Sequence, residues 1–283
     1  MADGDAGRAC VSLRERGYAV IPELLGASLC QQLLKEVHAS HAMASSDKED
    51  DKPVYCATCR HNIMLHVTHA VQEAARLLLN HEVYATEIET LLGQEAAIFE
   101  LAAMMSFPGA AQQPLHRDTL WAQQCESITA FMALTDIPEA AWGPTALAAG
   151  THDQAHWHYH DFNSPACCPG TAGCLDDSSA MPIFLARGDC LLMDSRTFHR
   201  GGANSIGERV LFYFSLRRRD TFPRSSTESL LDEYKQGAHP LTLATISGQS
   251  AASAQPVGVS QSVSQSVHPH SLQGALHTLE TPH

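Results

Sequence analysis

The sequence predicts a mainly β chain with flanking helices, an α+β protein built on a jelly roll or related barrel. Three observations carry this. From Ala96 onward, short apolar runs alternate with Gly- and Pro-containing turns, the spacing of an all-β barrel or sandwich. The first third instead shows helical periodicity. And Gly188 to Leu216 reads as two strand-like runs, Cys190 to Met193 and Val210 to Leu216, joined by a Gly-rich loop, a hairpin-like unit.

Taken in order, Val11 to Arg16 reads as helical, and Tyr18 to Ile21 as extended up to Pro22. Ser28 and Gln31 have capping-box spacing. An amphipathic helix then runs to about Met43, with Leu29, Leu33, Leu34 and Val37 on one stripe. Ser45 to Lys52 is a charged loop. Ala70 to Leu79 and Tyr84 to Leu92 read as helices, with Gly93 suited to the C-terminal cap. Ala97 to Phe107, Ile128 to Leu134 and Met181 to Leu185 complete the strands. His152 to Ser179 is a long insertion, a length typical of lids or loops without fixed structure. One domain is expected over residues 1–240. Residues 241–283, rich in Ser, Gln, Ala and Val around Gly248 to Val267, are expected to be a flexible tail.

Two segments carry chemistry. Gln112 to Trp121 contains His116-Arg117-Asp118. In an extended segment, residues i and i+2 share a side, so His116 and Asp118 can reach one ion. His199 lies in the Gly-rich loop some 80 residues further on, and Arg209 ten residues after it. Two histidines and a carboxylate, with open positions opposite, form the facial triad of non-haem Fe(II) oxygenases.

The same residues carry a resemblance to a known family. Arg16-Gly17-Tyr18-Ala19-Val20-Ile21-Pro22, His116-Arg117-Asp118, Trp142-Gly143-Pro144-Thr145, Gly150-Thr151-His152, Gly188-Asp189, His199 to Asn204 and Arg209 follow one another. In that order the chain resembles the phytanoyl-CoA dioxygenase family of Fe(II)- and 2-oxoglutarate-dependent oxygenases, over about residues 12 to 217. The resemblance implies a double-stranded β-helix, the cupin-like form of the jelly roll. It implies Fe(II) on His116, Asp118 and His199, O2 as oxidant, and 2-oxoglutarate held by Arg209. Gln113 matches a position that helps bind the co-substrate in some relatives, and Thr145 is placed to do likewise. Arg200 and the Arg217 to Arg219 run are the rivals of Arg209. Asp118 stands where chloride sits in halogenating relatives.

Other features bound the partners. A formal charge of −13 disfavours nucleic acid and anionic membrane. Hydrophobic residues at 44% against 17% charged mark a globular chain. The start lacks the pattern of a signal peptide, no apolar run approaches the ~18 residues of a membrane span, and Thr281-Pro282-His283 is no peroxisomal address. A cytoplasmic, reducing setting with free thiols is therefore expected. Cys56, Cys59 and His61 sketch an incomplete zinc pattern. His152, His156, His158 and His160, interleaved with Trp157 and Tyr159, suit a solvated loop, a substrate lid or a second metal site. Trp121 and Trp142 suit either pocket lining or ordinary packing.

Three functions fit. The first is a 2-oxoglutarate-dependent oxygenase that hydroxylates or otherwise oxidises a small organic molecule. The second is a cupin-like metal dioxygenase that does not use 2-oxoglutarate, and Arg209 speaks against it. The third is a non-enzymatic β-barrel binding protein. The open Gly201-Gly202 loop beside His199 speaks against it, since a structural metal site is closed by a fourth ligand. The residues name neither a substrate nor an oligomeric state.

Overall fold

The structure is a computed structural model, described here for residues 13–46, 54–57, 59–119, 122–153, 175, 177–219 and 221. The expected tail and most of the His-rich insertion fall outside these residues. No helix among them is long and apolar enough to cross a membrane.

Among the described residues, ten strands form two antiparallel sheets. The larger has the order β1-β8-β5-β10-β4-β3-β2 and the smaller the order β7-β6-β9. Their strands are β1 (Tyr18–Ile21), β2 (Val54–Ala57), β3 (Arg60–Met64), β4 (Ala97–Ser106), β5 (Ser127–Ala133), β6 (Thr145–Leu147), β7 (Met181–Pro182), β8 (Cys190–Asp194), β9 (His199–Gly201) and β10 (Arg209–Arg217). This crossed-over, all-antiparallel arrangement is the jelly-roll core expected from the strand pattern.

Strand alternation sorts the apolar residues. On β10, Val210, Phe212, Phe214 and Leu216 join the main core. That core also takes the inward stripes of α1 (Ala27–Ser46), α2 (His69–Leu79) and α3 (Tyr84–Leu92). The helices therefore cover the outer face of the large sheet. The opposite face of β10 presents Leu211, which packs with Leu147, Leu185, Leu191 and Met193 between the sheets. A third cluster, with Ala146 and Phe198, lies behind the small sheet.

Local chemistry sets the element ends. Thr68 caps α2 by accepting from the Val71 N–H at 3.2 Å. α3 stops at Gly93, whose φ of 84° leaves the helical region. Gly188 also has positive φ, +99°, and an added Cβ would lie 2.4 Å from the Leu25 carbonyl. The Gly188-Asp189 turn is tightened further by the Asp189 carboxylate, which accepts from the Ala186 and Glu23 N–H groups.

Several expectations are corrected. Residues 13–16 are helical, as expected within Val11 to Arg16; α1 begins at Ala27, so Ser28 lies inside its first turn and the Ser28–Gln31 pair is no capping box. Val54–Ala57 and Arg60–Met64 pair as the β2–β3 hairpin, where the sequence reading, with helices dominating the first third, placed no strand. The run Met181 to Leu185 is a strand only over Met181–Pro182, with Leu185 making a single bridge to Ile137. His152 is not in a solvated loop: it is buried, and its Nε2–H donates to the Arg14 carbonyl at 2.9 Å.

Candidate active site

The site forms where the segment before Asp118 pairs with β9. His116 and His199 exchange both main-chain hydrogen bonds, at 2.9 and 2.8 Å. That pairing sets their rings with centroids 4.4 Å apart. Two residues on, the Asp118 N–H reaches the Ser195 carbonyl at 3.2 Å, which turns the carboxylate back toward the rings. Asp118 Oδ1 lies 3.4 Å from His199 Nε2 and 3.7 Å from His116 Nε2. The ligand atoms of all three residues lie within 4.8 Å of one another, and they are the one such group among the described residues.

Each histidine is oriented the same way. His116 Nδ1 meets the Pro114 carbonyl at 2.8 Å, and His199 Nδ1 meets the Thr197 carbonyl at 3.0 Å. A carbonyl only accepts, so both Nδ1 atoms carry the proton. Both Nε2 lone pairs are thereby left facing Asp118, as a metal requires. Burial, then the neighbouring His199, holds His116 below the usual imidazole range. At Asp118, burial opposes the ionised form, but the adjacent imidazoles, His199 foremost, outweigh it and hold the carboxyl low. At His199, burial opposes the cation, but Asp118 outweighs it and raises the imidazole. The negative charge of Asp118, which favours a proton on the adjacent His199 ring, would favour a divalent cation in the proton's place.

The three face a cavity of about 290 Å³. Arg209, Gln113 and Thr145 also line it, so the three expected metal ligands and the three residues expected at the co-substrate share one space. Arg209 is buried, at 2% exposed, and donates through one guanidinium NH2 group to the Gly143 carbonyl. Its Nε has no hydrogen-bond partner. Burial, and then the charge of Arg60, push it down to about 9. Gln113 Oε1 accepts from the Gly201 N–H at 2.9 Å, fixing the amide beside β9. The rival Arg200 alternates to the other side of β9 and is not part of the cavity wall. Arg217, Arg218 and Arg219 bind Thr221, Leu91 and Glu95 instead.

Three charged lining residues were given no role from the sequence. Arg60 enters from β3, whose hairpin the apolar pattern does not show. Arg117 donates to the Thr151 carbonyl at 2.9 Å and stacks 4.1 Å over the Phe198 ring. Glu100 accepts from Ser215, whose oxygen is 2.8 Å from Thr129. Trp142 packs partly buried against the inter-sheet cluster rather than lining the cavity, and Trp121 lies outside the described residues. The zinc pattern stays incomplete: a His61 ring nitrogen is engaged by His41 at 2.8 Å, and the Cys56 side chain lies outside the described residues.

A jelly roll with a two-histidine, one-carboxylate cluster open to an arginine-lined cavity defines the class of non-haem iron oxygenases that use 2-oxoglutarate. The profile of the phytanoyl-CoA dioxygenase (PhyH) family matches residues 13–208, and the chain belongs to that family. It is 25% identical over 222 residues to dioxygenase aneA of Aspergillus aculeatus, covering 70% of this chain and 67% of that protein. Dioxygenase FrzG of a Cladobotryum species matches at 28% over 111 residues, 36% of this chain and 34% of the relative. Among solved structures, the epimerase SnoN in complex with Fe3+, alpha ketoglutarate and nogalamycin RO superposes with TM-score 0.57, at 20% identity, over 83% of this chain and 93% of that one. HygX from Streptomyces hygroscopicus with nickel, 2-oxoglutarate and hygromycin B gives 0.55, at 13% identity, over 84% and 98%. Family membership selects the first of the three functions: the protein is an Fe(II)- and 2-oxoglutarate-dependent dioxygenase.

Proposed function

We propose that His116, Asp118 and His199 hold the iron, that Arg209 receives the far carboxylate of 2-oxoglutarate, and that the enzyme hydroxylates a small organic molecule. The observation that carries this is the convergence of two Nε2 atoms and one carboxylate oxygen on the space that Arg209 also lines. The donor set fits the metal: nitrogen and oxygen ligands on one face, with the cavity opposite. When bound, iron supplies the chemistry by which O2 splits 2-oxoglutarate into succinate and carbon dioxide, one oxygen atom going to succinate and the other to a substrate C–H bond.

The chain's own residues prepare that chemistry. Pro114 and Thr197 carbonyls hold the two imidazoles in the metal-binding tautomer. Asp118 balances part of the metal's charge. The Arg209 guanidinium, tied on one side to Gly143, keeps donors toward the cavity and can grip a carboxylate with two parallel bonds. Gln113 holds Gly201 and so the strand that carries His199. Met104, Phe131 and Leu211 give part of the wall an apolar surface for the substrate's carbon frame. The relatives support the substrate class, since SnoN and HygX are solved with nogalamycin RO and hygromycin B bound.

The test is O2-dependent release of succinate from 2-oxoglutarate by Fe(II)-loaded protein, offered a panel of small metabolites. Succinate above the uncoupled background, with a substrate gaining one oxygen atom and His116→Ala inactive, is the expected result. Equal succinate from His116→Ala would remove these residues from the reaction.

A further inference from the structure

We propose that Glu100 selects the substrate: with Tyr213 and Phe131 it forms a site for a protonated amine, at the end of the cavity away from Arg209, and the enzyme prefers a cationic small molecule. The inference rests on the reading of the cavity given above and names the class of its substrate.

Backbone contacts give the cavity a direction. At one end the Gln113 N–H meets the Gly201 carbonyl, and an added Cβ at Gly201 would lie 3.2 Å from the Arg60 guanidinium. Arg60 and Arg209 are both paired with Ser106 at this end. At the other end the Asp118 N–H meets the Ser195 carbonyl. Ser195 Oγ is 3.3 Å from Thr129 Oγ1, and Thr129 and Glu100 are the two cross-strand partners of Ser215. Cross-strand partners face the same side of a sheet. The step from Arg209 to Ser215 spans six residues, about 20 Å of strand. His116 and His199 pair between the two ends. The triad thus stands between an arginine end and a carboxylate end, and Glu100 and Thr129 both line the cavity at the latter.

A chain of hydroxyls fixes the Glu100 carboxylate. Ser215 donates to Glu100. Ser215 Oγ is 2.8 Å from Thr129 Oγ1, and Ser195 Oγ is 3.0 Å from Ser127 Oγ. Each hydroxyl has one hydrogen to give, and an ionised carboxylate only accepts. Thr129 therefore donates to Ser215, Ser195 to Thr129, and Ser127 to Ser195. All four hydroxyl residues are buried. Aligned donors that end on one carboxylate favour its charged form. A neutral acceptor would end the chain equally well. A carboxylate on the cavity wall adds a charge that a cationic ligand uses. One row along, Tyr213 pairs with Phe131, with ring centroids 5.4 Å apart, and both line the cavity. Aromatic rings beside a carboxylate suit an ammonium group, which meets the charge on one side and the rings on the other.

The experiment uses two probes with one carbon frame, 3-phenylpropylamine and 3-phenylpropanol. Each is titrated without O2 into Fe(II)-loaded protein holding 2-oxoglutarate. Broadening of the probe's proton NMR lines by the paramagnetic metal reports binding in the cavity. The amine should bind roughly tenfold or more tighter than the alcohol, the effect of one charge-assisted contact. Glu100→Gln should bring the amine to within about twofold of the alcohol. It should leave the alcohol and 2-oxoglutarate affinities those of the parent, since the co-substrate end lies across the triad. Equal affinity of the two probes for the unmodified protein overturns the proposal. So does an amine preference that survives Glu100→Gln, which would place the amine on the metal or elsewhere. Thermal midpoints accompany each titration. Should Glu100→Gln fail to fold, Glu100→Asp decides: it draws the charge back by one methylene, and an undiminished amine preference overturns the site. A titration of 2-oxoglutarate, followed by its metal-to-ligand charge-transfer band, separates this inference from the reading beneath it. If the band forms and the amine preference is absent, only the amine site fails. If no band forms, the cavity is not the co-substrate site and both fall.

Discussion

Each histidine of the proposed triad is oriented by the carbonyl two residues before it, Pro114 for His116 and Thr197 for His199. The backbone alone thus presents both Nε2 atoms, and no separate acid is needed to choose the tautomer. His199→Ala removes one of three ligands while leaving β9 paired. Metal affinity should fall by roughly 100-fold or more, measured by calorimetric Fe(II) titration, with the thermal midpoint of the metal-free protein little changed. An unchanged affinity would sink the assignment. The proposed place of Asp118 among the iron ligands bears on the type of product. With a carboxylate among the ligands, no position is freed for a halide, so mass analysis in chloride or bromide buffer should show added oxygen or lost hydrogens. A halogenated product from the unmodified protein would refute this.

At the scale of elements, β10 is a partition. Arg209, Leu211, Tyr213 and Ser215 occur on one face of it, and Val210, Phe212, Phe214 and Leu216 on the other, against the helices. Phe212→Ala should therefore destabilise the fold by about 3–5 kcal/mol, the cost of emptying a buried aromatic site. Its 2-oxoglutarate affinity should stay that of the parent, since the change lies behind the sheet. Chemical denaturation and a ligand titration on the same sample check both halves. Elements bounded by clear punctuation were legible in the sequence: α3 over Tyr84–Leu92, closed by Gly93, and β1 over Tyr18–Ile21, stopped by Pro22, match the structure. The triad was legible because its members lie in a fixed chain order around two strand ends. β6 and β9 are three residues each, too short for any period. β3 opens on three polar residues, Arg60, His61 and Asn62, so the apolar pattern does not show its hairpin with β2 or Arg60, whose place beside Arg209 is set by register across β4 and not by spacing along the chain. Gly26 rather than Ser28 precedes α1, a shift of two residues that local capping chemistry did not decide.

For the whole molecule, the composition of residues 248–267 sets an expectation about what the fold can spare. Truncation after Ser247 should leave the thermal midpoint unchanged, and a large drop would show that the tail packs on the domain. The row formed by Arg60, Ser106 and Arg209 has a further consequence, because it is buried in a chain of net charge −13. A dianion approaching from bulk solvent meets repulsion first and attraction only within the cavity. Added salt screens the long-range part, whose reach is about 10 Å at 0.1 M, and hardly touches the buried contact. Encounter and retention should therefore respond differently to ionic strength. In stopped-flow mixing without O2, the association rate constant of 2-oxoglutarate should rise with sodium chloride, while its dissociation rate constant stays nearly level. The enzyme would then take up its co-substrate fastest in the saltier medium, the reverse of what a basic surface would give.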